Sequence, residues 1–206
     1  GAKTPSNTLT KAISGCGGIS GTHFGKPGRL LACCDVDRKR LDKKMAGQKK
    51  NPEVKGYSDF REIMERKDID IVHIATPPHW HALMAIAAAK SGKDIWCEKP
   101  MSRTIGEGVA MIKAVEDHQR IFRINTWFRF RGKYYWFKRP AADVWKVAHH
   151  GLLGDGPLTF KIGTGGLKLR KWSGRTDLAE QPVPEHLDYN MWLGPAPLKP
   201  YHADRV

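Results

Sequence analysis

The chain has 206 residues, a formal net charge of +14, 40% apolar residues and 27% charged residues. This length is enough for one domain, or for one domain and part of another, with a core that needs no disulfide or metal. The composition excludes disorder of the whole chain. The absence of any run of about 18 apolar residues excludes a transmembrane helix, so no membrane partner is expected.

A charge of +14 is compatible with a nucleic-acid or membrane-surface partner. The basic residues are spread along the chain, and no cluster recurs at a spacing that follows a phosphate backbone. We therefore interpret them as the surface of a soluble protein that attracts anionic cofactors, and we expect no nucleic-acid partner. The first eight residues are polar and lack the apolar region of a signal peptide. The compartment stays open between the cytoplasm and, after removal of an upstream signal, the periplasm of a bacterium.

Strand patterns and helix patterns alternate along the first 125 residues. Compact apolar runs predict strands at residues 8–14, 30–34, 69–75, 94–97 and 120–125. Helical spacing predicts helices at residues 38–48, 59–66, 81–90 and 104–118. This alternation is typical of a doubly wound parallel α/β sheet, whose strands end at one edge where ligands bind.

The character of the sequence changes after about residue 126. A helix is predicted at residues 141–150 and a strand at residues 158–163, and Gly, Pro and basic residues dominate the rest of the chain. We expect residues 1–126 to form one domain, and residues 127–206 to begin a second domain that is incomplete within this sequence.

A glycine turn follows the first predicted strand. Gly15 permits a tight turn, and Gly17 lets the backbone approach a pyrophosphate, which then lies on the N–H groups of the next helix. Gly18, Ile19 and Ser20 complete this turn, with Ser20 at the position that is usually a third glycine. Such a turn alone is weak evidence, because many matches are only tight turns.

Asp35 lies 18 residues after Gly17, at the end of the second strand. A carboxylate there accepts hydrogen bonds from the adenosine ribose, although Asp35 could instead cap the next helix. The same carboxylate repels a 2′-phosphate, so NAD is favoured. NADP stays possible because Arg38, Lys39 and Arg40 could hold that phosphate, the alternative being a solvated helix face.

The segment Thr76-Pro77-Pro78-His79-Trp80-His81 follows the strand at residues 69–75. Its prolines end the strand, and the loop is predicted to lie over the cofactor, with His81 starting the next helix. We assign Thr76, Pro77, Trp80 and His81 to the cofactor site. A His-x-His pair can bind a metal, but no third ligand has suitable spacing, so no metal is predicted.

The tripeptide Glu98-Lys99-Pro100 follows the strand at residues 94–97, on the same predicted sheet edge. A lysine beside a nicotinamide can hydrogen-bond a substrate hydroxyl and stabilise a developing alkoxide. We therefore predict that Lys99 is catalytic and that Glu98 and Lys99 border the cofactor. The alternative is a surface salt bridge between Glu98 and a basic residue.

These motifs, in this order and spacing, resemble the glucose–fructose oxidoreductase/inositol dehydrogenase/MocA (Gfo/Idh/MocA) family over about residues 9–165. The resemblance implies that Lys99 contacts both substrate and nicotinamide ribose, that the Lys99–Pro100 bond is cis, and that Asn125 lies where the chain leaves the last Rossmann strand, at the cofactor. Residues 187–197 resemble a connector in a bacterial, carbohydrate-related subgroup. The Asp and His that supply the family's proton acceptor find no match before Val206.

The resemblance implies an NAD(P)-dependent oxidoreductase that acts on a sugar, polyol or related carbohydrate and forms a homo-oligomer. It also implies that residues 1–126 form a Rossmann NAD(P)-binding domain and that residues 127–206 begin an α+β domain for substrate and oligomerisation. An alternative within the same fold is an NAD-dependent glycoside hydrolase that oxidises the sugar transiently. A third interpretation, of another class, is a non-catalytic binding module or nucleic-acid binder, which a steeply salt-dependent affinity for DNA would support.

Overall fold

A computed structural model describes residues 9–126, 147–154, 156–157 and 177–206. The chain forms two compact units. The first comprises the chain up to Asn125 together with Glu180–Tyr201, and the second comprises Thr126–Ala179 and His202–Val206. Glu180–Tyr201 thus joins the unit that precedes it in the chain. The predicted division of function between residues 1–126 and 127–206 stays a prediction.

The first unit is built on a six-stranded sheet in which every neighbouring pair of strands is parallel. The strands, in chain order, are β1 (Thr10–Ser14), β2 (Arg29–Cys34), β3 (Lys55–Tyr57), β4 (Ile71–Ile74), β5 (Asp94–Cys97) and β6 (Phe122–Ile124). Their spatial order is β3-β2-β1-β4-β5-β6. This is the order of a doubly wound dinucleotide-binding sheet, so the predicted fold class is confirmed for this unit.

The helices of the first unit are α1 (Gly21–Phe24), α2 (Arg38–Ala46), α3 (Phe60–Glu65), α4 (His81–Lys90) and α5 (Ile105–Asp117), followed by a short helix at Tyr189–Leu193. Side chains cap the beginnings of α2 and α5: Asp37 accepts from the N–H of Arg40 in α2, and Thr104 and Glu107 form a capping box at α5. The four helices predicted between residues 38 and 118 are all present. Strand β3 and the helix at Tyr189–Leu193 were not predicted.

One face of the sheet is apolar and packs against α3, α4 and α5. Its side chains come from alternate strand positions, such as Val72 and Ile74 of β4, both fully buried. The helices contribute Ile63 and small residues such as Ala85 and Ala88, which let α4 approach the sheet closely. This face holds most of the hydrophobic core.

The opposite face carries buried polar side chains at its centre. Lys11 of β1 and His73 of β4 are diagonal neighbours on this face of the two paired strands. Both side chains are almost fully buried. The Lys11 Nζ donates to the carbonyl oxygens of His23 and Phe24 at 3.1 Å each, which fixes the end of α1. Burial lowers the pKa of Lys11. The pKa of His73 falls to about 3 because of burial and the nearby positive charges.

All four cysteines are buried and free of disulfides. In the second unit, residues 147–149 are helical and Ala203–Arg205 forms a 3-10 turn. Three segments lie outside the described part of the chain: residues 127–129, residues 141–146 of the predicted helix, and the predicted strand at residues 158–163. Within the described part, no helix has the length and apolarity needed to cross a membrane.

Candidate functional site

A cleft that opens to solvent lies at the carboxyl edge of the sheet where β1, β2 and β4 end. Ligand pockets in proteins are mostly apolar, with a few polar groups that orient the ligand. The lining comes from the glycine turn, the end of β2, the start of α3, the loop after β4, and the helix at Tyr189–Leu193. The cleft therefore lies where a doubly wound sheet binds its ligand.

Gly15 and Gly18 contribute to the turn in different ways. Gly15 has φ +93°, and a Cβ on it would lie 2.6 Å from the backbone carbon of Ala75, so the close approach of β1 to β4 needs a glycine here. At Gly18, nothing lies within 4 Å of the position that a Cβ would occupy. The backbone at Gly18 is thus open to a ligand. Gly15, Gly17, Gly18 and Ile19 all line the cleft.

Ser20 explains how the turn tolerates a missing third glycine. Its side chain is fully buried, and its hydroxyl donates to the carbonyl oxygen of Gly17 at 2.6 Å. Ser20 therefore stabilises the turn from within and is not among the residues that line the cleft.

Asp35 lines the cleft and also shapes it. One carboxylate oxygen accepts the N–H of Cys16 at 2.6 Å, and the other accepts the N–H of Asp37 at 2.8 Å. Burial raises the pKa of Asp35, and the backbone hydrogen bonds oppose that shift. The alternative that Asp35 caps the next helix is wrong, because Asp37 is the N-cap of α2.

Arg40, rather than Arg38, reaches the cleft. The guanidinium of Arg38 is exposed and donates to the carbonyl oxygen of Glu185 at 3.1 Å. The backbone N–H of Arg38 donates to the carbonyl oxygen of His186. Arg40 lies two residues further along α2 and pairs with Asp37. The distance between Nε of Arg40 and Oδ2 of Asp37 is 3.2 Å. The arginine that lines the cleft is thus already paired with the carboxylate that caps α2.

The loop after β4 has the predicted position over the cleft, and Thr76, Pro77 and Trp80 line it. His81 begins α4 as predicted, but it is fully buried and not in the lining. Its Nδ1 faces the carbonyl oxygen of Pro100 at 2.7 Å and its Nε2 faces that of Thr76 at 2.9 Å. Both ring nitrogens are therefore engaged with the backbone, and His81 ties the loop after β4 to the loop after β5.

A segment distant in sequence completes one wall of the cleft. Trp80 Nε1 donates to the carbonyl oxygens of Met191 and Trp192 at 3.0 and 3.2 Å. Gly194 packs so closely on Trp80 that a Cβ would lie 2.3 Å from the indole ring. Further lining residues were not predicted, and no local pattern marks them as ligand-facing: Val36, Ser58, Phe60, Met84, Met191 and Trp192.

Glu98 and Lys99 follow β5 and differ sharply in environment. Lys99 is exposed, and its peptide bond to Pro100 is cis, as the family resemblance implies. Glu98 is only 3% exposed. Its Oε1 accepts from Asn125 at 2.5 Å and lies 3.0 Å from the His23 Nε2. The alternative of a surface salt bridge for Glu98 is therefore wrong.

Burial opposes the charged form of Glu98, but the hydrogen bonds from His23 and Asn125 outweigh it, so its pKa lies below the ordinary value. The structure thus divides the predicted cofactor residues into three groups. Those lining the cleft are Gly15, Gly17, Gly18, Ile19, Asp35, Thr76, Pro77 and Trp80. Those lying behind it or at the neighbouring strand ends are Ser20, His81, Glu98, Lys99 and Asn125, and Arg38 is directed elsewhere.

Comparison with known proteins agrees with this architecture. Residues 10–126 match the model of the Gfo/Idh/MocA oxidoreductase family with an NAD-binding Rossmann fold, and residues 137–206 match the C-terminal alpha/beta domain of the same family. The first match covers more than half of the chain. The chain therefore belongs to the Gfo/Idh/MocA family of NAD-binding oxidoreductases.

Two curated proteins and one solved structure are similar to this chain. A levoglucosan dehydrogenase from Pseudarthrobacter phenanthrenivorans is 57% identical over 72 residues, which is 35% of this chain and 18% of that protein. A glycosyl hydrolase family 109 protein from Solibacter usitatus is 32% identical over 129 residues, 56% of this chain and 30% of that protein. The scyllo-inositol dehydrogenase of Lactobacillus casei, solved with NAD(H) and scyllo-inositol, has a TM-score of 0.60 at 24% identity, over 72% of this chain and 43% of that one. The chain thus spans less than half the length of each.

Proposed function

We propose that this chain is the cofactor-binding part of a dehydrogenase that oxidises a hydroxyl group of a sugar or polyol, with NAD as the hydride acceptor. The observation that carries the proposal is the juxtaposition of an open glycine turn, the Asp35 carboxylate and the exposed Lys99 at one edge of the sheet. The dehydrogenases among the relatives support a carbohydrate substrate.

The residues of the cleft suit a dinucleotide. Gly17 and Gly18 present backbone with no side chain in the way of a diphosphate, and the space around Gly18 is open. Asp35 retains acceptor capacity for ribose hydroxyls beyond its two backbone partners. Phe60 and Trp192 add apolar walls to the cleft, which would suit an adenine ring.

The charges around Asp35 favour NAD over NADP. The Asp35 carboxylate repels a 2′-phosphate, and the only arginine among the cleft-lining residues, Arg40, is already paired with Asp37 at 3.2 Å. The exposed Arg38 donates to a carbonyl oxygen of the segment near residue 185. A 2′-phosphate would thus meet an anion and an already paired guanidinium.

When bound, NAD supplies an electrophilic nicotinamide C4 that accepts the hydride. Lys99 then has the role of the group that touches the substrate: its Nζ donates a hydrogen bond to the reacting hydroxyl oxygen and stabilises negative charge that develops there. The hydroxyl proton would pass to a base outside this chain, supplied by the rest of the substrate domain. The buried Glu98 beside it stays ionised, and its Oε2 accepts the backbone N–H of Lys99 at 3.2 Å. The backbone that carries Lys99 is thereby held at the end of β5.

The test is the Lys99→Ala variant of the protein that contains both domains, assayed with NAD and a panel of levoglucosan, inositols and free sugars. We expect kcat to fall about 10²–10⁴-fold while the affinity for NAD stays the same, because Lys99 acts on the substrate and not on the cleft. Lys90→Ala is the matched control, since Lys90 is an exposed lysine at the end of α4. Unchanged turnover in Lys99→Ala would reject the assignment.

The match to a family 109 glycosyl hydrolase favours a second candidate, the glycosidase. The same assay separates the two, because a dehydrogenase forms NADH in proportion to the sugar oxidised. A glycosidase of this fold cleaves a glycoside with no net NADH.

A further inference from the structure

A chain of buried polar groups leads from the polar face of the sheet to Lys99. His23 of α1 is fully buried, with its Nε2 3.0 Å from Glu98 Oε1 and its Nδ1 3.0 Å from the Nδ1 of His73. Glu98 reaches Lys99 through its other oxygen, Oε2, which accepts the Lys99 N–H. Helix α1 and the ends of β5 and β6 therefore meet at a single carboxylate.

The Glu98 carboxylate is an acceptor that needs donors on both oxygens. An ionised carboxylate that is removed from water is costly unless each oxygen is hydrogen-bonded. Asn125 and His23 supply donors to Oε1, and Lys99 supplies one to Oε2. The two side-chain donors hold one end of the carboxylate, and this leaves the other end directed at the backbone of Lys99.

The protonation pattern of the histidines follows from these partners. An anionic acceptor at Glu98 requires a proton on Nε2 of His23. In the neutral form of His23, the Nδ1 atom then carries no proton and is an acceptor. His73 therefore donates its Nδ1–H to the Nδ1 of His23. The Nε2 atom of His73 then carries a lone pair and no proton. That nitrogen has no partner among the described residues, and a lone pair is the less costly group to leave there.

The backbone of His23 is fixed as firmly as its ring. Lys11 donates to the carbonyl oxygen of His23 from β1, and the ring packs edge-on against His73 with 5.2 Å between centroids. The imidazole therefore has little freedom to follow Glu98 if that side chain moves. It is a rigid donor at a defined place.

We propose that His23 is a positioning residue for the reaction: its Nε2–H holds the Glu98 carboxylate in the orientation in which Oε2 accepts the N–H of Lys99. This inference rests on the proposed function, which gives Lys99 its catalytic role. Without the donor, the carboxylate turns toward other partners and the backbone of Lys99 loosens. Small displacements of a reacting group reduce turnover strongly without weakening ligand binding.

The first measurement is the ¹⁵N NMR spectrum of the histidine rings in the wild-type protein. We expect a protonated Nε2 on His23, with a signal that shifts in Glu98→Gln. A His23 that carries its only proton on Nδ1 would overturn the inference, because Glu98 would then receive nothing from it. This measurement needs no variant of His23 and no enzyme activity.

The second measurement compares His23→Leu with His23→Gln in the protein with both domains. We expect kcat to fall about tenfold or more in His23→Leu, with the affinity for NAD unchanged. The amide of Gln restores a donor, so His23→Gln should regain most of the lost kcat. Ile63→Val, a buried change on the apolar face, controls for a general loss of stability.

The third measurement is hydrogen exchange at the Lys99 amide, which decides the inference even if no sugar is oxidised. We expect exchange about tenfold faster in His23→Leu than in the wild type, and close to the wild-type rate in His23→Gln and Ile63→Val. If His23→Leu fails to fold, the His23→Gln variant and the NMR spectrum still decide whether His23 positions Glu98. Wild-type inactivity with every sugar rejects the proposed function. Unchanged Lys99 exchange in a folded His23→Leu rejects the positioning role.

Discussion

The two faces of the central sheet are built on different principles, although the same strands form both. On one face, Val72 and Ile74 pack against α3, α4 and α5 within the apolar core. On the other face, His73 lies between these two residues in sequence and contacts His23. A strand buried on both sides thus alternates between an apolar core and a polar network.

The contrast between the two faces indicates which residues contribute mainly to stability and which contribute to function. The apolar face removes large side chains from water and is tolerant of exchange between similar residues. The polar face buries ionisable groups, which is costly unless all are hydrogen-bonded, and it leads through Glu98 to Lys99. We therefore expect substitutions on the first face to change stability and those on the second to change pH dependence and turnover.

The largest effect on stability is expected on the apolar face. Ile74→Ala should lower the free energy of unfolding by about 2–5 kcal/mol, because Ile74 is fully buried and its neighbours cannot close the cavity. Urea unfolding measures this loss. Leu83→Ala is the control, since Leu83 is 47% exposed and its truncation leaves no cavity. Equal losses in the two variants would show that this face is not a closely packed core.

A smaller effect, confined to acid, is expected on the polar face. The pKa of His73 is about 3 in the folded protein against an ordinary value of 6.5. Between these values the unfolded chain binds a proton that the folded protein does not, so stability falls as the pH falls. From pH 7.5 to 5 the contribution of His73 to the free energy of unfolding should fall by about 2 kcal/mol.

His73→Leu should remove this part of the pH dependence, as measured by urea unfolding at the two pH values. His118→Leu is the control, because His118 is exposed at the end of α5. A pH dependence that is the same in His73→Leu and the wild type would contradict a buried, neutral His73.

The smallest effect is expected at the surface, away from both faces. Lys113 and Asp117 form an ion pair at 2.9 Å on α5, and both are more than half exposed. Lys113→Ala should change the free energy of unfolding by less than about 0.5 kcal/mol, because water and salt screen such pairs. A loss comparable to that of Ile74→Ala in the same urea experiment would mean that charge pairs, and not the apolar face, dominate the stability of this unit.

The sequence predicted most of the sheet because its signals are local. Periodicity and caps identified five of the six strands and the four longer helices. Strand β3 was missed because it is three residues long and carries no apolar run. The role of Asp37 as the cap of α2 follows from its position just before the helix and was within reach of sequence reasoning.

Other parts of the site could not be predicted because they depend on tertiary contacts. Met191 and Trp192 reach the cleft through hydrogen bonds to Trp80, more than 100 positions away in the chain. His23 meets Glu98 across 75 positions. No single-sequence pattern links such residues, and only the folded sheet brings them together.

The most direct test of the central claim, that the glycine turn is the diphosphate-binding end of an NAD site, is calorimetric titration of NAD into Gly18→Asp and Gly25→Asp. A Cβ meets nothing within 4 Å at either glycine, so both variants should fold. A carboxylate about 4 Å from a phosphate at the turn costs several kcal/mol, so Gly18→Asp should weaken NAD binding about 100-fold or more. Gly25→Asp should bind as the wild type does. Equal affinity in the two variants would contradict the site.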